Sequence, residues 1–199
     1  MLRILLAAPL VVAMAFPVAA EKRSLPEISA YLNGIKTAQG RFTQINDDGS
    51  KSTGRIYIKR PGRVRFEYDP PERTLVIADG KSVAIIDAKS NQRPDAYPLY
   101  RTPLSVILAR RVNLSRAKMV TGFSSDDTYT TVRAQDPKHT EYGSIDLVFT
   151  NDPLRLSRWV INDDYGGRTT VVLGELTQGE QFDNALFTLP KGAVIHRDE

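Results

Sequence analysis

The side chains that could do chemistry in this 199-residue chain are few and scattered. The two histidines, His139 and His196, stand at no metal-ligand spacing, and surface histidines are the simplest interpretation. The acidic doublets at 126–127 and 163–164 lie in polar stretches, where turn formation explains them better than calcium binding or acid catalysis. The sequence has no nucleophile motif, phosphate-binding loop or dinucleotide-binding motif. It therefore predicts no enzymatic activity, no metal site and no cofactor.

Two other residues could contribute specific contacts. Arg60 follows an apolar alternation and precedes Pro61, and its guanidinium offers five donors in a fixed plane. Spacing alone leaves open whether Arg60 belongs to a solvated turn or serves particular acceptors. Trp159 alternates with polar neighbours, which indicates an aromatic in a core or a cavity wall rather than a stacking platform.

Residues 54–81 give the clearest structural pattern. Apolar and polar residues alternate with a period of two at 55–59 and again at 63–68, which is typical of strands with one apolar face. Asp79 and Gly80, between two further apolar runs, are a strong hairpin signal because both residue types tolerate positive φ. The segment is predicted to be an antiparallel meander with one apolar face.

Two short helices are predicted. The first begins at Ser24, which can form a capping box with Glu27, and it ends near Gly34. The second has Thr102 as its N-cap and Pro103 at its first position, and it extends for roughly two to three turns. Helices this short depend on tertiary packing.

From residue 118 onward the pattern is nearly all strand. The predicted strands are 118–123, 128–134, 144–150, 154–162 and 169–176. Two short helices cannot cover the apolar face of so long a sheet, so curling into a barrel or half-barrel around them is the simplest arrangement. The periodicity does not distinguish a packed core from a ligand cavity inside that barrel.

The first twenty residues are predicted to be a cleaved signal peptide. Arg3 supplies a positive start, the apolar run 4–16 is too short to span a bilayer, and small residues precede Glu21. An uncleaved membrane anchor is the alternative. Cleavage leaves residues 21–199 as a single domain, expected to be soluble in the periplasm.

The composition excludes several classes of protein. The chain has no cysteine, which removes disulfides, thiolate metal sites and the acylated cysteine of a lipoprotein. Lys and Arg number 27 against 23 Asp and Glu, for a formal net charge of +4. Because the basic residues alternate with aliphatic ones in strands, nucleic-acid binding is not expected.

Several motifs together resemble the LolA-type outer-membrane lipoprotein carrier family. They are G-x-I-x-I-K-R-P-G-R-x-R-F at 54–66, F-T-Q at 42–44, D-G-K at 79–81, L-A-R at 108–110, and an ending at 182–194 that contains Phe182, Phe187 and Pro190. The motifs occur in the right order along nearly the whole mature chain.

The resemblance implies a mainly β fold with short helices, a half-open antiparallel β-barrel with a helical lid over an apolar cavity. It also implies a monomeric periplasmic chaperone that takes acylated lipoproteins from an inner-membrane ATP-driven transporter and passes them to an outer-membrane lipoprotein receptor. Burying one CH₂ group is worth about 0.8 kcal/mol, so an unshielded acyl chain would aggregate or insert at random. A carrier must also release its cargo, which favours a cavity that can close.

The family further implies roles for particular residues. The arginine of K-R-P holds the empty lid closed through backbone carbonyls, which in this chain assigns a lid latch to Arg60 with the carbonyls of Leu32, Leu108 and Ala109. Carbonyls at helix ends lack helical partners and suit a multi-donor cation. The acyl-chain cavity is expected to be lined by Ile56, Ile58, Val64, Phe66, Leu75, Ile77, Leu104, Ile107 and Trp159.

Other functions fit parts of the same pattern. The outer-membrane receptor of the same fold needs a cysteine after its signal peptide, which this chain lacks. A lipoprotein sensor with the same half-barrel would carry a further domain. A periplasmic binding protein for other lipids is not excluded by the sequence, and mass spectrometry of a co-purified ligand would distinguish it.

Overall fold

Strands dominate the structure, a computed structural model that describes residues 23–87, 89–90, 93–115 and 118–196. The predicted signal peptide, residues 1–20, lies outside the described residues. The helices are α1 Leu25–Gly34 and α2 Ser105–Leu108. The strands are β1 Thr37–Ile45, β2 Lys51–Lys59, β3 Arg63–Tyr68, β4 Thr74–Asp79, β5 Ser82–Asp87, β6 Asp95–Pro98, β7 Val120–Ser125, β8 Tyr129–Gln135, β9 Ser144–Thr150, β10 Arg155–Asn162, β11 Arg168–Leu173, β12 Thr177–Gln178 and β13 Val194–Ile195.

The strands form one open sheet. Their order is β13-β6-β5-β4-β3-β2-β1-β11-β10-β9-β8-β7, and β12 pairs with β1 beside this path. All pairings in the described residues are antiparallel except that of β13 with β6. Strands β13 and β7 stand at opposite ends of the order, so the barrel is not closed, which confirms the predicted half-open antiparallel architecture.

One aromatic contact shows how strongly the sheet curls. Strand β3 lies four steps from β10 in the order, which on a flat sheet would be about 19 Å. The rings of Phe66 and Trp159, on those two strands, have centroids only 6.3 Å apart. The inner side chains of both halves of the sheet therefore meet in a single core, which also contains apolar residues of α1 and α2.

The predicted β4–β5 hairpin is present, with Gly80 and Lys81 between its strands. Asp79 Oδ1 accepts hydrogen bonds from the backbone N–H groups of Lys81 and Ser82, both at 2.8 Å. The β2–β3 turn packs directly against this hairpin. Gly62 has a φ of +77°, and a Cβ on it would lie 2.7 Å from the Cα of Gly80. A side chain at Gly62 would therefore force the two turns apart.

Helix α1 begins as the sequence predicted. Ser24 is its N-cap, and the backbone N–H of Ser24 donates to the Glu27 carboxylate at 2.8 Å in a complete capping box. Ile28 and Leu32 are buried against the inner surface of the sheet. The helix ends at Gly34, as expected.

The prediction for the second helix was wrong in its start and its length. Helix α2 has only four residues and begins at Ser105, after Leu104. Thr102 does not cap it, because the Thr102 hydroxyl donates backwards to the Leu99 carbonyl at 2.8 Å. A short 3₁₀ turn, Leu99–Arg101, occupies the space before it. Apolar contacts of Ile107 and Leu108, rather than helix length, hold α2 in place.

The C-terminal segment covers part of the outer surface of the sheet. This segment contains a 3₁₀ turn, Asn184–Phe187. Lys59 Nζ donates to the Phe182 carbonyl at 2.6 Å, and Arg65 donates to the Leu186 carbonyl at 3.1 Å. Phe187 is buried there. Strands β6, β12 and β13 were not predicted.

Candidate functional site

The inner surface of the sheet changes from apolar to polar along the strands. Cross-strand pairs, which share a face, define this change row by row. From one end to the other the rows are Ala38–Ile58–Val64, Gly40–Ile56–Phe66, Phe42–Gly54–Tyr68 and Gln44–Ser52. We call these two ends the Arg60 end, where β2 leads into Arg60, and the Gln44 end.

At the Arg60 end, the guanidinium of Arg60 contacts the ends of both helices. Its Nη1 donates to the carbonyls of Leu32 and Ile35, the latter at 3.3 Å. Its Nε and Nη2 donate to the Ala109 carbonyl at 3.2 and 2.5 Å. The side chain is half-buried, and burial lowers the pKa of Arg60. The acceptors are carbonyls at the end of α1 and just after α2, which have no partner within a helix.

One of the three predicted carbonyl partners of Arg60 is different. The contacts to Leu32 and Ala109 are present, but the Leu108 carbonyl accepts from the backbone N–H of Gly62 at 2.8 Å. The turn backbone thus satisfies Leu108, and the side chain of Arg60 extends one residue further to Ala109. The role of these contacts as a lid latch remains a prediction.

Asn33 forms a second link, between α1 and the segment that follows α2, and no pattern in the sequence predicted it. Its Nδ2 donates to the Val112 carbonyl at 2.7 Å, and its Oδ1 accepts from the Val112 N–H at 2.9 Å. The same Oδ1 accepts from Arg60 Nη2 at 3.3 Å. One turn earlier, the Ser29 hydroxyl accepts from the Leu114 N–H at 2.9 Å. Helix α1 and segment 109–114 are therefore joined by side-chain hydrogen bonds as well as by Arg60.

Most residues of the predicted cavity belong to the core between the sheet and the helices. This core contains Leu32, Ile56, Ile58, Val64, Phe66, Leu104, Ile107, Leu108 and Trp159. Of these, Phe66, Leu104 and Trp159 also line an open cavity. The others pack against one another and against α1 and α2.

Leu75 and Ile77 are not on the predicted face. Leu75 pairs with Glu67 and Ile77 with Arg65, so both lie on the outer surface. Val76, between them, pairs with Phe66 and faces inward. The run of apolar residues in β4 has no period-two alternation, so the sequence does not indicate which of its residues face inward.

The open cavity lies towards the Gln44 end and has a volume of about 540 Å³. Its wall combines apolar and polar side chains. The lining residues are Gln44, Asn46, Ser50, Lys51, Ser52, Phe66, Tyr68, Glu72, Thr74, Val76, Ile85, Leu104, Trp159, Ile161, Thr169 and Val171. An amphiphile with an apolar and a polar part would find both kinds of surface there.

Several polar side chains of the cavity wall form hydrogen bonds with one another. Tyr68 donates its hydroxyl proton to Gln44 Oε1 at 2.5 Å, and Gln44 Nε2 donates to Asn46 Oδ1 at 2.7 Å. Asn46 Nδ2 donates in turn to the Ser50 hydroxyl at 2.9 Å. Burial raises the pKa of Tyr68 to about 12, so its hydroxyl remains a proton donor at neutral pH. This chain of hydrogen bonds fixes the Gln44 end of the wall.

The comparisons with known proteins agree with this architecture. A family model described as outer membrane lipoprotein carrier protein LolA matches residues 33–190. The chain belongs to the LolA family. Outer-membrane lipoprotein carrier proteins of Chromohalobacter salexigens and Pseudomonas syringae are each 25% identical, the first over 93% of both chains and the second over 98% of both. The protein is accordingly a lipoprotein carrier chaperone by family.

Solved structures of the superfamily are more distant. A LolA superfamily protein from Nitrosomonas europaea is 10% identical with a TM-score of 0.43, covering 84% of this chain and 98% of that one.

The residues that could suggest other chemistry have structural partners in this LolA family member. His139 stacks on Tyr142 with ring centroids 4.7 Å apart, and Asp126 Oδ1 accepts from two backbone N–H groups of its own turn. No cluster of three or more His, Cys, Asp or Glu suited to a metal ion occurs in the described ranges. Within the same ranges, every helix is too short or too polar to cross a membrane.

Proposed function

We propose that this LolA family member carries acylated lipoproteins through the periplasm, from an inner-membrane ATP-driven transporter to an outer-membrane receptor. The acyl chains occupy the inner surface of the open sheet. Helices α1 and α2 form the lid, which closes over that surface when the carrier is empty. The protein acts as a monomer after removal of residues 1–20.

The observation that carries this proposal is the contact of Arg60 with both helices. The sheet is open, so its apolar inner surface needs a cover, and α1 with α2 supplies it. Side chains such as Leu32 and Leu108, each about 2% exposed, are buried only while that cover is in place. Arg60 lies where the ends of both covering elements meet, and it donates to each of them.

The arrangement supports reversible binding. An acyl chain and the lid helices compete for the same apolar side chains, so loading exchanges one apolar contact for another. Each CH₂ that the cargo buries contributes about 0.8 kcal/mol, and lid closure offsets part of that gain during release. Hydrogen bonds to a charged group are worth about 1.5–3 kcal/mol, enough to shift a lid equilibrium without unfolding a domain of ordinary stability.

Replacing Arg60 by Leu tests this role. The variant should fold, open its lid more often and accept lipoprotein from the transporter, yet hand it over poorly to an outer-membrane receptor. Arg60→Lys should be intermediate, because lysine lacks the planar fork. The measurement is a two-step transfer assay, in which loading and handover are quantified separately.

Arg55→Leu is the matched control, because Arg55 is an exposed residue on the outer face of β2, the strand that leads into Arg60. Normal handover by Arg60→Leu would eliminate the latch. Recovery of a lipid other than acylated lipoprotein from the periplasmic protein, by mass spectrometry, would instead support the binding protein for other lipids. N-terminal sequencing that begins at Met1 would contradict the predicted cleavage.

A further inference from the structure

Trp159 is a buried hydrogen-bond donor whose donor atom has no acceptor. Its side chain is 0% exposed, and within the part of the chain that the structure describes Nε1 has no hydrogen-bond partner. Leaving a buried donor unsatisfied is costly, so native proteins seldom do it without a reason. The residue also belongs to the wall of the 540 Å³ cavity.

The polar side chains of the cavity wall that form hydrogen bonds do so with one another and not with Trp159. The Tyr68 hydroxyl donates to Gln44, and the Gln44 and Asn46 amides donate along the same chain to Ser50. None of these groups accepts from Trp159 Nε1. Because the indole is 0% exposed in this closed form, a molecule that binds at the inner surface once the lid opens can supply the acceptor.

The position of Trp159 indicates what part of a ligand it would meet. Trp159 pairs with Val171, and Val171 pairs with Gln44, so the three share one row across the sheet. Two strand spacings, roughly 10 Å, separate the indole-bearing strand from that of Gln44. On one side of this row the wall is apolar, with the Phe66 ring against the indole. On the other side the wall includes the polar side chains of Asn46, Ser50 and Thr169 beside Ile161.

We infer that the indole N–H of Trp159 donates a hydrogen bond to an ester carbonyl at the head of a bound acyl chain. An ester carbonyl stands where the hydrocarbon tail ends and the polar head begins, which is the boundary that Trp159 occupies. The acceptor is neutral, because the charged residues of the lining, Lys51 and Glu72, are exposed at the rim, and one indole donor cannot compensate a buried carboxylate.

This inference rests on the proposed function and gives it chemical selectivity. The cavity would distinguish acyl esters from alkyl ethers of the same length, although both bury the same hydrocarbon. It would also fix how deep the chains enter, because the ester has to stop level with the row of Gln44.

The experiment compares two synthetic lipopeptides with free amino groups, one with two palmitoyl ester chains on its glyceryl group and one with two hexadecyl ether chains. The parent should bind the diester roughly three- to tenfold more tightly, the range expected for one net hydrogen bond. Trp159→Phe keeps the aromatic ring and loses the donor, so it should bind both lipopeptides as weakly as the parent binds the diether. An ester preference that persists in Trp159→Phe would overturn the inference, as would equal binding of both ligands by the parent.

A second measurement needs no variant. Because the chain has one tryptophan, its indole N–H gives a single nitrogen–proton NMR signal. Adding the diester should shift that proton downfield, and adding the diether should not. An equal shift with both ligands would assign the donor to a retained water and overturn the inference. Absence of binding by either ligand would overturn the proposed function as well, which keeps the two failures distinct.

Discussion

The Arg60 end and the Gln44 end of the same inner surface are covered in different ways. At the Arg60 end, Ile58 and Val64 are buried beneath α1 and α2. Towards the Gln44 end, hydrogen-bonded polar side chains border a cavity, and its wall includes Ile85 of the Phe66 row, which is 50% exposed. The difference shows that one continuous sheet can be a packed core at one end and border an open cavity at the other. What decides between them is the polarity of the inward-facing rows and the reach of two short helices.

Truncating one isoleucine beneath the helices and one in the cavity wall should give the largest contrast. Ile58→Ala removes a packed side chain and should lower the free energy of unfolding by about 2–5 kcal/mol. Ile85→Ala removes an inward side chain from the cavity wall, where solvent already reaches, and should cost less than about 1 kcal/mol. Chemical denaturation measures both, and both are strand positions. Equal losses would show that the cavity wall is packed as tightly as the Arg60 end.

Asn33→Ala should have an intermediate effect on the free energy of unfolding. The variant leaves the N–H and carbonyl of buried Val112 without their partners, at a cost of about 1–3 kcal/mol. Hydrogen exchange at the Val112 amide should accelerate, because its N–H loses the Asn33 Oδ1 acceptor. The matched control is Asn46→Ala, since Asn46 belongs to the exposed part of the polar network at the other end. If the Val112 amide exchanges at the parental rate in Asn33→Ala, the hydrogen bonds between Asn33 and Val112 do not restrain the lid.

The capping box of α1 should give the smallest effect. Ser24→Ala removes the N-cap hydroxyl and should cost about 1 kcal/mol at neutral pH. Thermal unfolding of the variant and of the parent, at matched concentration, measures it. An unchanged melting temperature would mean that the Ser24 hydroxyl does not contribute to the stability of α1.

Glu27 makes that contribution depend on pH. Hydrogen bonds from the backbone and hydroxyl of Ser24, and then from Arg23, lower the pKa of Glu27. The stabilisation is therefore present above the ordinary glutamate pKa of about 4.3 and is lost as the pH falls through the lowered value. The melting temperature of the parent should exceed that of Glu27→Gln at pH 7, and the two should converge in acid. A constant difference down to pH 3 would contradict this assignment.

Much of the fold could be predicted because its signals are local. Alternation in β2 and β3 selects an inner face residue by residue, and the Ser24 and Glu27 pair starts α1 where expected. The inward-facing residues of β4 could not be predicted because its apolar run has no period-two alternation. The start of α2 was predicted wrongly because the Thr102 hydroxyl donates to the Leu99 carbonyl instead of capping the helix. The sequence does not show which of these partners the hydroxyl takes.

The candidate site depended more on resemblance than on pattern. Spacing indicated that Arg60 is unusual, but its carbonyl acceptors were predicted only from the family resemblance. One of those acceptors, the Leu108 carbonyl, pairs with the Gly62 N–H instead. Asn33 and Val112 are 79 residues apart, and a pairing of that kind leaves no trace in a single sequence. The orphan donor of Trp159 likewise appears only when every acceptor around it can be counted.

An open sheet has two unpaired edges, and each is a potential template for another chain. Strand β13, at one edge, is a two-residue strand, Val194–Ile195, that runs parallel to β6. Strand β7, at the other, has a register irregularity between Val120 and Gly122. Short, twisted or irregular edges discourage strand addition. Among the described residues, the open sheet therefore presents no long regular edge on which copies of the protein could polymerise.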